Sequence, residues 1–213
     1  MRPPLPAGLY GMADAAFGDP VALGLALARG GCRVIQLRAK DLPPSDRLGL
    51  ARGLVQALAP LQTLVIVNDD VAVAKASGAH GLHLGQEDGD LSRARAELGP
   101  DVLIGRSTHD LGQVAAAAAE GADYIGFGPV FATSTKALAD PVVGLSGLAA
   151  ACASSVLPVV AIGGITLADL PAVKASGAHG WAVISDLLRH AEQGPDALAE
   201  AVADWLISAA QSG

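Results

Sequence analysis

The chain has 213 residues, and its 14 Lys+Arg against 21 Asp+Glu leave a net charge of −7, which disfavours a general nucleic-acid or anionic-membrane surface. With 51% apolar and 16% charged residues the sequence is too apolar for disorder, and its length suits one domain over 1–213 with a large core. Two cysteines, Cys32 and Cys152, cannot build a disulfide framework, and no Cys-x-x-Cys pair offers a zinc site; they read as small apolar thiols of a reducing, cytoplasmic compartment.

Residues 1–14 lack the basic start and unbroken apolar stretch of a signal peptide. Short apolar runs then recur at 9–12, 34–37, 64–67, 81–84, 102–104, 124–127, 159–162 and 181–184. They are continuous rather than alternating, the pattern of strands buried on both faces. Helical stripes lie between them: Leu50, Leu54 and Leu58 with Ala51 and Val55 form one, and Leu198, Val202, Trp205 and Leu206 the last.

An internal echo sets the period. KASGAHG occurs at 75–81 and again at 174–180, with looser copies in RGGCRVIQLR from Arg29 and AEGADYIGFG from Ala119. Each copy is a helix that ends at a glycine able to take a left-handed cap, followed at once by a strand. The marker glycines Gly31, Gly78, Gly121 and Gly177 stand 47, 43 and 56 residues apart. A strand-helix unit takes about half of that, so a further unit lies between each pair. Eight strands, each followed by a helix, predict an α/β chain folded as a single (β/α)8 TIM barrel, with an open doubly wound sheet as the alternative. The uncharged stretch 141–168 is long enough to cross a bilayer, which takes roughly 20 apolar residues. Ser154, Ser155, Pro158, Gly163 and Gly164 interrupt it, so it reads as a buried helix, a turn and a buried strand.

A barrel enzyme carries its chemistry at the C-terminal ends of the strands. Gln36, Arg38, Lys40 and Asp41 follow the second run, and Asn68-Asp69-Asp70 the third. His83, Gln86, Glu87 and Asp88 belong to the fourth, and Arg106, Ser107 and His109 to the fifth. GPVFATSTK (128–136) follows the sixth, Gly163-Gly164-Ile165-Thr166 the seventh and Ile184-Ser185-Asp186 the eighth. Of the four lysines, Lys75 and Lys174 close the repeated helices, where a cation suits the helix dipole. Lys40 and Lys136 join Arg38 and Arg106 in a cationic cluster suited to an anionic substrate.

Asp69 and Asp88 follow adjacent strands. Without cysteine or a histidine pair they point to a hard ion, Mg²⁺ rather than Zn²⁺, which keeps waters and takes phosphate oxygens. Spacing leaves a second role open for Asp69, as the cap of the next helix. Gly163-Gly164 with Ile184-Ser185 matches the backbone phosphate site of such barrels, and Thr133, Ser134 and Thr135 before Lys136 add hydroxyl donors in a loop. His80 and His179 fall on the stability face, His190 follows the eighth strand in a helical segment, and His83 lines the functional end. No acid-oriented nucleophile, Walker lysine loop or dinucleotide fingerprint is present.

Eight stretches in order now resemble the thiamine phosphate synthase family: LYGMAD (9–14), VIQLRAKD (34–41), VND (67–69), GLHLGQED (81–88), IGRSTH (104–109), GADYIGFGPVFATSTK (121–136), AIGGIT (161–166) and AVIS (182–185). The resemblance implies a transferase that joins 4-amino-2-methyl-5-pyrimidinylmethyl diphosphate to thiazole phosphate, releasing diphosphate by way of a pyrimidinylmethyl cation. It implies that Gln36 contacts the aminopyrimidine and that Arg38, Lys40 and Asn68 approach the diphosphate. Asp69 and Asp88 would hold Mg²⁺, and Ser107 would lie near the leaving group. Thr133, Thr135 and Lys136 would bind phosphate oxygens from a closing loop, and Gly164, Ile184 and Ser185 would hold the thiazole side. Arg38, Ser107 and Lys136 are the expected catalytic groups.

Three positions depart from the family pattern. A basic residue and a second aspartate after its Asn-Asp pair are Asp70 and Ala72 here, with Asp70 a candidate to compensate; the usual asparagine after Gly-Ile-Thr is Asp169. A thiazole tautomerase of the same fold is the alternative, disfavoured by Pro129 where those relatives carry histidine and by the retained Thr-x-Thr-Lys loop. A non-catalytic phosphate-ligand binder is the third reading, with Ala72 as its only support. An apolar barrel exterior leaves room for a homo-oligomer interface.

Overall fold

Runs of Val, Ile and Leu too short for helices form eight strands: β1 Gly8–Asp14, β2 Val34–Arg38, β3 Leu64–Asn68, β4 Gly81–Leu84, β5 Leu103–Thr108, β6 Tyr124–Phe127, β7 Val159–Ile162 and β8 Gly180–Val183. In the computed structural model, which describes residues 1–133 and 140–211, all pair in parallel and close in chain order. β8 returns to β1 through Gly8↔Gly180 and Gly11↔Val183. The barrel is therefore the (β/α)8 fold, and the open sheet is excluded.

Helices cover the barrel: α1 Pro20–Arg29, α2 Pro44–Leu58, α3 Val71–Ser77, α4 Leu91–Leu98, α5 Leu111–Ala119, α6 Gly144–Ser154, α7 Leu170–Ala175, α8 Ser185–Leu188 and α9 Pro195–Gln211. Aspartates start four of them. Asp19, Asp70, Asp90 and Asp110 each accept a hydrogen bond from a first-turn N–H, a cap worth about 1 kcal/mol apiece. The marker glycines at 31, 78, 121 and 177 all have positive φ, as the helix-end echo requires.

Strand alternation divides the core into two layers. Leu9, Ile35, Val65, Leu82, Ile104 and Ile125 face outward into the helices. Tyr10, Met12, Val34, Ile66, Leu103 and Tyr124 fill the barrel itself. The inner layer fits because glycines face its largest members. A Cβ on Gly105 would lie 2.2 Å from Tyr124 Cζ, and one on Gly81 would lie 2.4 Å from Ile66 Cδ1.

The strands run further than the apolar runs suggest. β1 continues to Asp14 and β5 to Thr108, so Arg106 and Ser107 lie on a strand rather than after it, as do Gln36 and Arg38 on β2. Polar residues continue the ladder because the barrel mouth supplies them with partners. The uncharged stretch 141–168 contains α6 and β7. No helix among the described residues is long and apolar enough to cross a membrane.

Candidate active site

The mouth is built first by β1 to β3. Alternation turns Val34 and Gln36 inward on β2, with Arg38 above them at the rim. Register places Arg38 opposite Asp14. Arg38 Nη1 donates to Asp14 Oδ2 at 2.7 Å, and Asp14 Oδ1 accepts from the Ala16 N–H at 3.0 Å. Asp14 is 2% exposed, so a carboxylate locked by its own backbone fixes the guanidinium.

Gln36 Nε2 donates to Asn68 Oδ1 at 2.6 Å, and Asn68 Nδ2 donates to Asp69 Oδ2 at 2.5 Å. Lys40 Nζ reaches the same Asp69 oxygen at 2.8 Å. The Asp69 N–H donates to the carbonyl of His83 at 2.8 Å. Asp69 has φ +63, a left-handed conformation that aspartate tolerates better than most residues. That kink turns its carboxylate away from the following helix. The cap of α3 is Asp70, whose Oδ1 accepts from the Val73 N–H at 2.9 Å while Oδ2 pairs with Arg47 at 3.1 Å. The capping alternative for Asp69 is thereby corrected. Asp70 is no substitute metal carboxylate either, because both of its oxygens are engaged elsewhere.

Asp88 comes from the loop after β4, where its Oδ2 accepts from the Gly85 N–H at 3.0 Å. Partial burial pushes its carboxyl up, and the neighbouring Asp69 carboxylate pushes it further. Two adjacent carboxylates that repel one another suit a cation. Among the described residues no group of three or more His, Cys, Asp or Glu side chains gathers as a metal cage. The two hard oxygen donors fit an ion such as Mg²⁺ that completes its shell with water and phosphate oxygens.

Arg106 does not belong to the cationic cluster. It is 8% exposed and faces outward from β5, donating Nη1 to the carbonyls of Gly85 and Gly89, each at 2.9 Å. It fastens the loop that carries Asp88. Of the predicted cluster, the described cations that face the mouth are Arg38 and Lys40.

His83 and Ser107 face each other inside the barrel. His83 Nε2 lies 3.0 Å from Ser107 Oγ, and Nδ1 lies 3.1 Å from Tyr124 Oη. Tyr124 Oη in turn lies 2.9 Å from Tyr10 Oη. Burial first, and then Arg106, lower the His83 pKa to about 4. It is thus neutral at physiological pH and a poor general base for Ser107. The stability-face histidines behave as expected: His80 Nδ1 accepts from the Val65 N–H, and His179 Nε2 bonds the Leu5 carbonyl.

The other side of the mouth is mostly backbone. Gly163 and Gly164 have φ +98 and +65. A Cβ on Gly164 would lie 2.4 Å from the Ala132 carbonyl oxygen, so only glycine lets the two loops meet. Phe131 N–H donates to the Gly163 carbonyl at 2.9 Å. Ile184 precedes α8 and Ser185 is its exposed first residue. Asp186 ties the two loops together, accepting from the Leu167 N–H at 3.3 Å and pairing with Arg189 at 2.9 Å. Thr133 is half-buried at the edge of the next loop. Thr135 and Lys136, and with them the closing-loop expectation, lie outside the described residues.

Sequence reasoning missed three positions. Asp14 is signalled only by a carboxylate ending an apolar run. Tyr10 and Tyr124 read as ordinary strand residues, and nothing local marks their meeting across the barrel.

Comparisons with known proteins point to one family. The family described as Thiamine monophosphate synthase matches residues 11–187. A thiamine-phosphate synthase of Anaeromyxobacter dehalogenans is 46% identical over 192 residues, covering 90% of this chain and 84% of that protein. One of Myxococcus xanthus is 42% identical over 194 residues, covering 90% and 89%. The solved thiamine phosphate pyrophosphorylase of Pyrococcus furiosus superposes with TM-score 0.86 at 32% identity, covering 97% of this chain and 96% of that one. The chain belongs to the thiamine monophosphate synthase family.

Proposed function

We propose that the chain joins 4-amino-2-methyl-5-pyrimidinylmethyl diphosphate to thiazole phosphate, forming thiamine phosphate and diphosphate. Family membership and the names of the relatives at 46% and 42% identity support this transferase activity. The observation that carries it is the Asp69–Lys40 pair beside Asp88. Carboxylates for a cation and an ammonium for an anion meet at one point of an otherwise acidic chain, which suits a diphosphate bound with its ion. Asp69 and Asp88 would hold Mg²⁺, which supplies charge neutralisation to the departing diphosphate.

The side chains divide the remaining work. Gln36 Nε2 is committed to Asn68, so its carbonyl oxygen is left to accept from the amino group of the pyrimidine. Asp14 holds one arm of Arg38, leaving the rest of the fork for diphosphate oxygens. Lys40 and Asn68 flank the same anion, and Ser107 lies beside the leaving group. Thr133, Thr135 and Lys136 take phosphate oxygens. Gly164, Ile184 and Ser185 hold the thiazole phosphate with backbone N–H groups at the start of α8.

The C–O bond of the pyrimidinylmethyl diphosphate breaks and its electron pair leaves with diphosphate. The thiazole nitrogen lone pair then forms the new C–N bond. No protein nucleophile is required. Among the described residues the site offers none, because His83 is too weak a base for Ser107. Position 129, on the strand-six loop, is a buried proline with no titratable group, so nothing there moves a thiazole proton. The test is product formation from the two purified substrates with Mg²⁺ and with chelator. Thiamine phosphate and diphosphate in equal amounts, with metal only, are expected. Folded protein that binds the pyrimidine diphosphate yet releases no diphosphate overturns the proposal.

A further inference from the structure

We infer that Tyr124, backed by Tyr10, is a positioning residue that fixes the tautomer of His83, so that Ser107 presents its O–H to the substrate anion. The inference rests on the reading of Ser107 as a neighbour of the departing diphosphate. Its structural half stands on geometry alone.

Three hydroxyls and one imidazole form a single line through the barrel. The steps are Tyr10 Oη to Tyr124 Oη at 2.9 Å, Tyr124 Oη to His83 Nδ1 at 3.1 Å, and His83 Nε2 to Ser107 Oγ at 3.0 Å. Tyr10, Tyr124 and His83 are all buried. Each hydroxyl has one hydrogen to give, so the direction of the line is decided at its closed end. Among the described residues Tyr10 Oη has no hydrogen-bond partner but Tyr124 Oη.

Suppose the line runs outward. Tyr10 donates to Tyr124, Tyr124 donates to His83 Nδ1, and His83 Nε2–H donates to Ser107 Oγ. Every buried hydrogen then has an acceptor. Suppose instead that it runs inward. His83 Nδ1–H donates to Tyr124, Tyr124 donates to Tyr10, and the Tyr10 hydrogen is left buried with nothing to accept it. An imidazolium fails in the same way, since both of its nitrogens must donate. A buried donor without a partner carries its full desolvation cost, so the outward direction wins. Burial also raises the pKa of both phenols, which keeps their hydrogens in place.

The barrel is shaped around this line. A Cβ on Gly105 would lie 2.5 Å from His83 Nδ1 as well as 2.2 Å from Tyr124 Cζ, and one on Gly126 would lie 3.3 Å from His83 Cε1. The outward direction has one chemical consequence. Ser107 accepts from His83, so its own hydrogen, at the open end, is free for an acceptor in the mouth. A fixed donor there favours the oxygen that gains charge as diphosphate leaves.

The experiment combines histidine-tautomer NMR with kinetics. Protein carrying ¹⁵N-histidine is recorded at neutral pH, with His83→Asn used to assign the His83 signals. The expected wild-type spectrum shows His83 protonated at Nε2 only. Tyr124→Phe removes the donor to Nδ1, so the tautomers mix. Its kcat falls about tenfold, less than loss of a whole oxyanion donor, while both KM values stay within about twofold. Tyr10→Phe keeps the tautomer, and its kcat stays within about threefold because Tyr124 still donates.

An Nδ1–H tautomer in the wild type overturns the direction of the line, whether or not either variant folds. The expected tautomer with unchanged kcat in folded Tyr124→Phe overturns the link to Ser107. Absence of thiamine phosphate from wild type and variants alike overturns the functional reading instead, and the tautomer result still decides the structural half.

Discussion

The two arcs of the barrel mouth use different materials. From β1 to the loop after β4 the mouth is made of side chains: Asp14, Arg38, Lys40, Asn68, Asp69 and Asp88, most of them bonded to one another. From β7 to α8 it is made of backbone: Gly163, Gly164 and the amides at Ile184 and Ser185. The first arc concentrates charge, whereas the second begins in the uncharged run 159–168. The division matches two tasks. Charge that changes as a bond breaks calls for ionised groups held in pairs, since an unpaired buried charge is costly. An anion that is only held in place can be met by amides whose positions are already fixed, with no side-chain entropy to lose.

Removing charge from the first arc has the largest expected effect. Asp69→Asn keeps the left-handed backbone, which asparagine tolerates as well as aspartate, and keeps an oxygen for Asn68 and Lys40. It deletes the charge alone. The proposed roles predict a kcat/KM lower by about 10²–10³-fold and a flattened response to Mg²⁺ concentration. A variant that keeps full metal-dependent activity would show that the side-chain arc is only structural.

The second arc breaks differently. Gly164→Ala places a Cβ 2.4 Å from the Ala132 oxygen at a φ of +65. Strain of this kind costs about 1–3 kcal/mol, read as a lower urea midpoint. In steady-state kinetics the KM for thiazole phosphate rises about tenfold while that for the pyrimidine diphosphate holds steady. If the pyrimidine KM rises instead, the assignment of the arcs to the two substrates is reversed.

The barrel itself was legible because its rules are local. Four helix-end glycines and eight apolar runs report backbone conformation and two-faced burial one element at a time; they predict the barrel, while its closure rests on the pairing of β8 with β1. The mouth was legible where a side chain stands at or just past the end of a strand, as with Arg38 and Asp69, or in the short loop after it, as with Asp88. Arg106 shows the limit. By spacing it resembles Arg38, but it sits on the outward parity of β5, and only the length of that strand, which runs to Thr108, reveals this. The Tyr10–Tyr124 contact joins residues 114 positions apart. It depends on Gly105 leaving room for the Tyr124 ring, and no window along the chain contains both phenols.

The smallest effect concerns the position where the chain departs from its family. Ala72 is exposed in the first turn of α3, two residues beyond the Asp70 cap. A carboxylate there lies near the positive end of the helix and adds about 0.3–1 kcal/mol. Asp69 reaches the mouth through its own kinked backbone, and Asp70 is tied to Val73 and Arg47, so neither depends on a neighbour at position 72. Ala72→Asp should therefore raise the urea midpoint slightly and leave the Mg²⁺ concentration for half-maximal activity within about twofold. A much lower Mg²⁺ requirement would instead extend the side-chain arc by a third carboxylate. The first turn of α3 would then belong to the metal site rather than to the scaffold behind it.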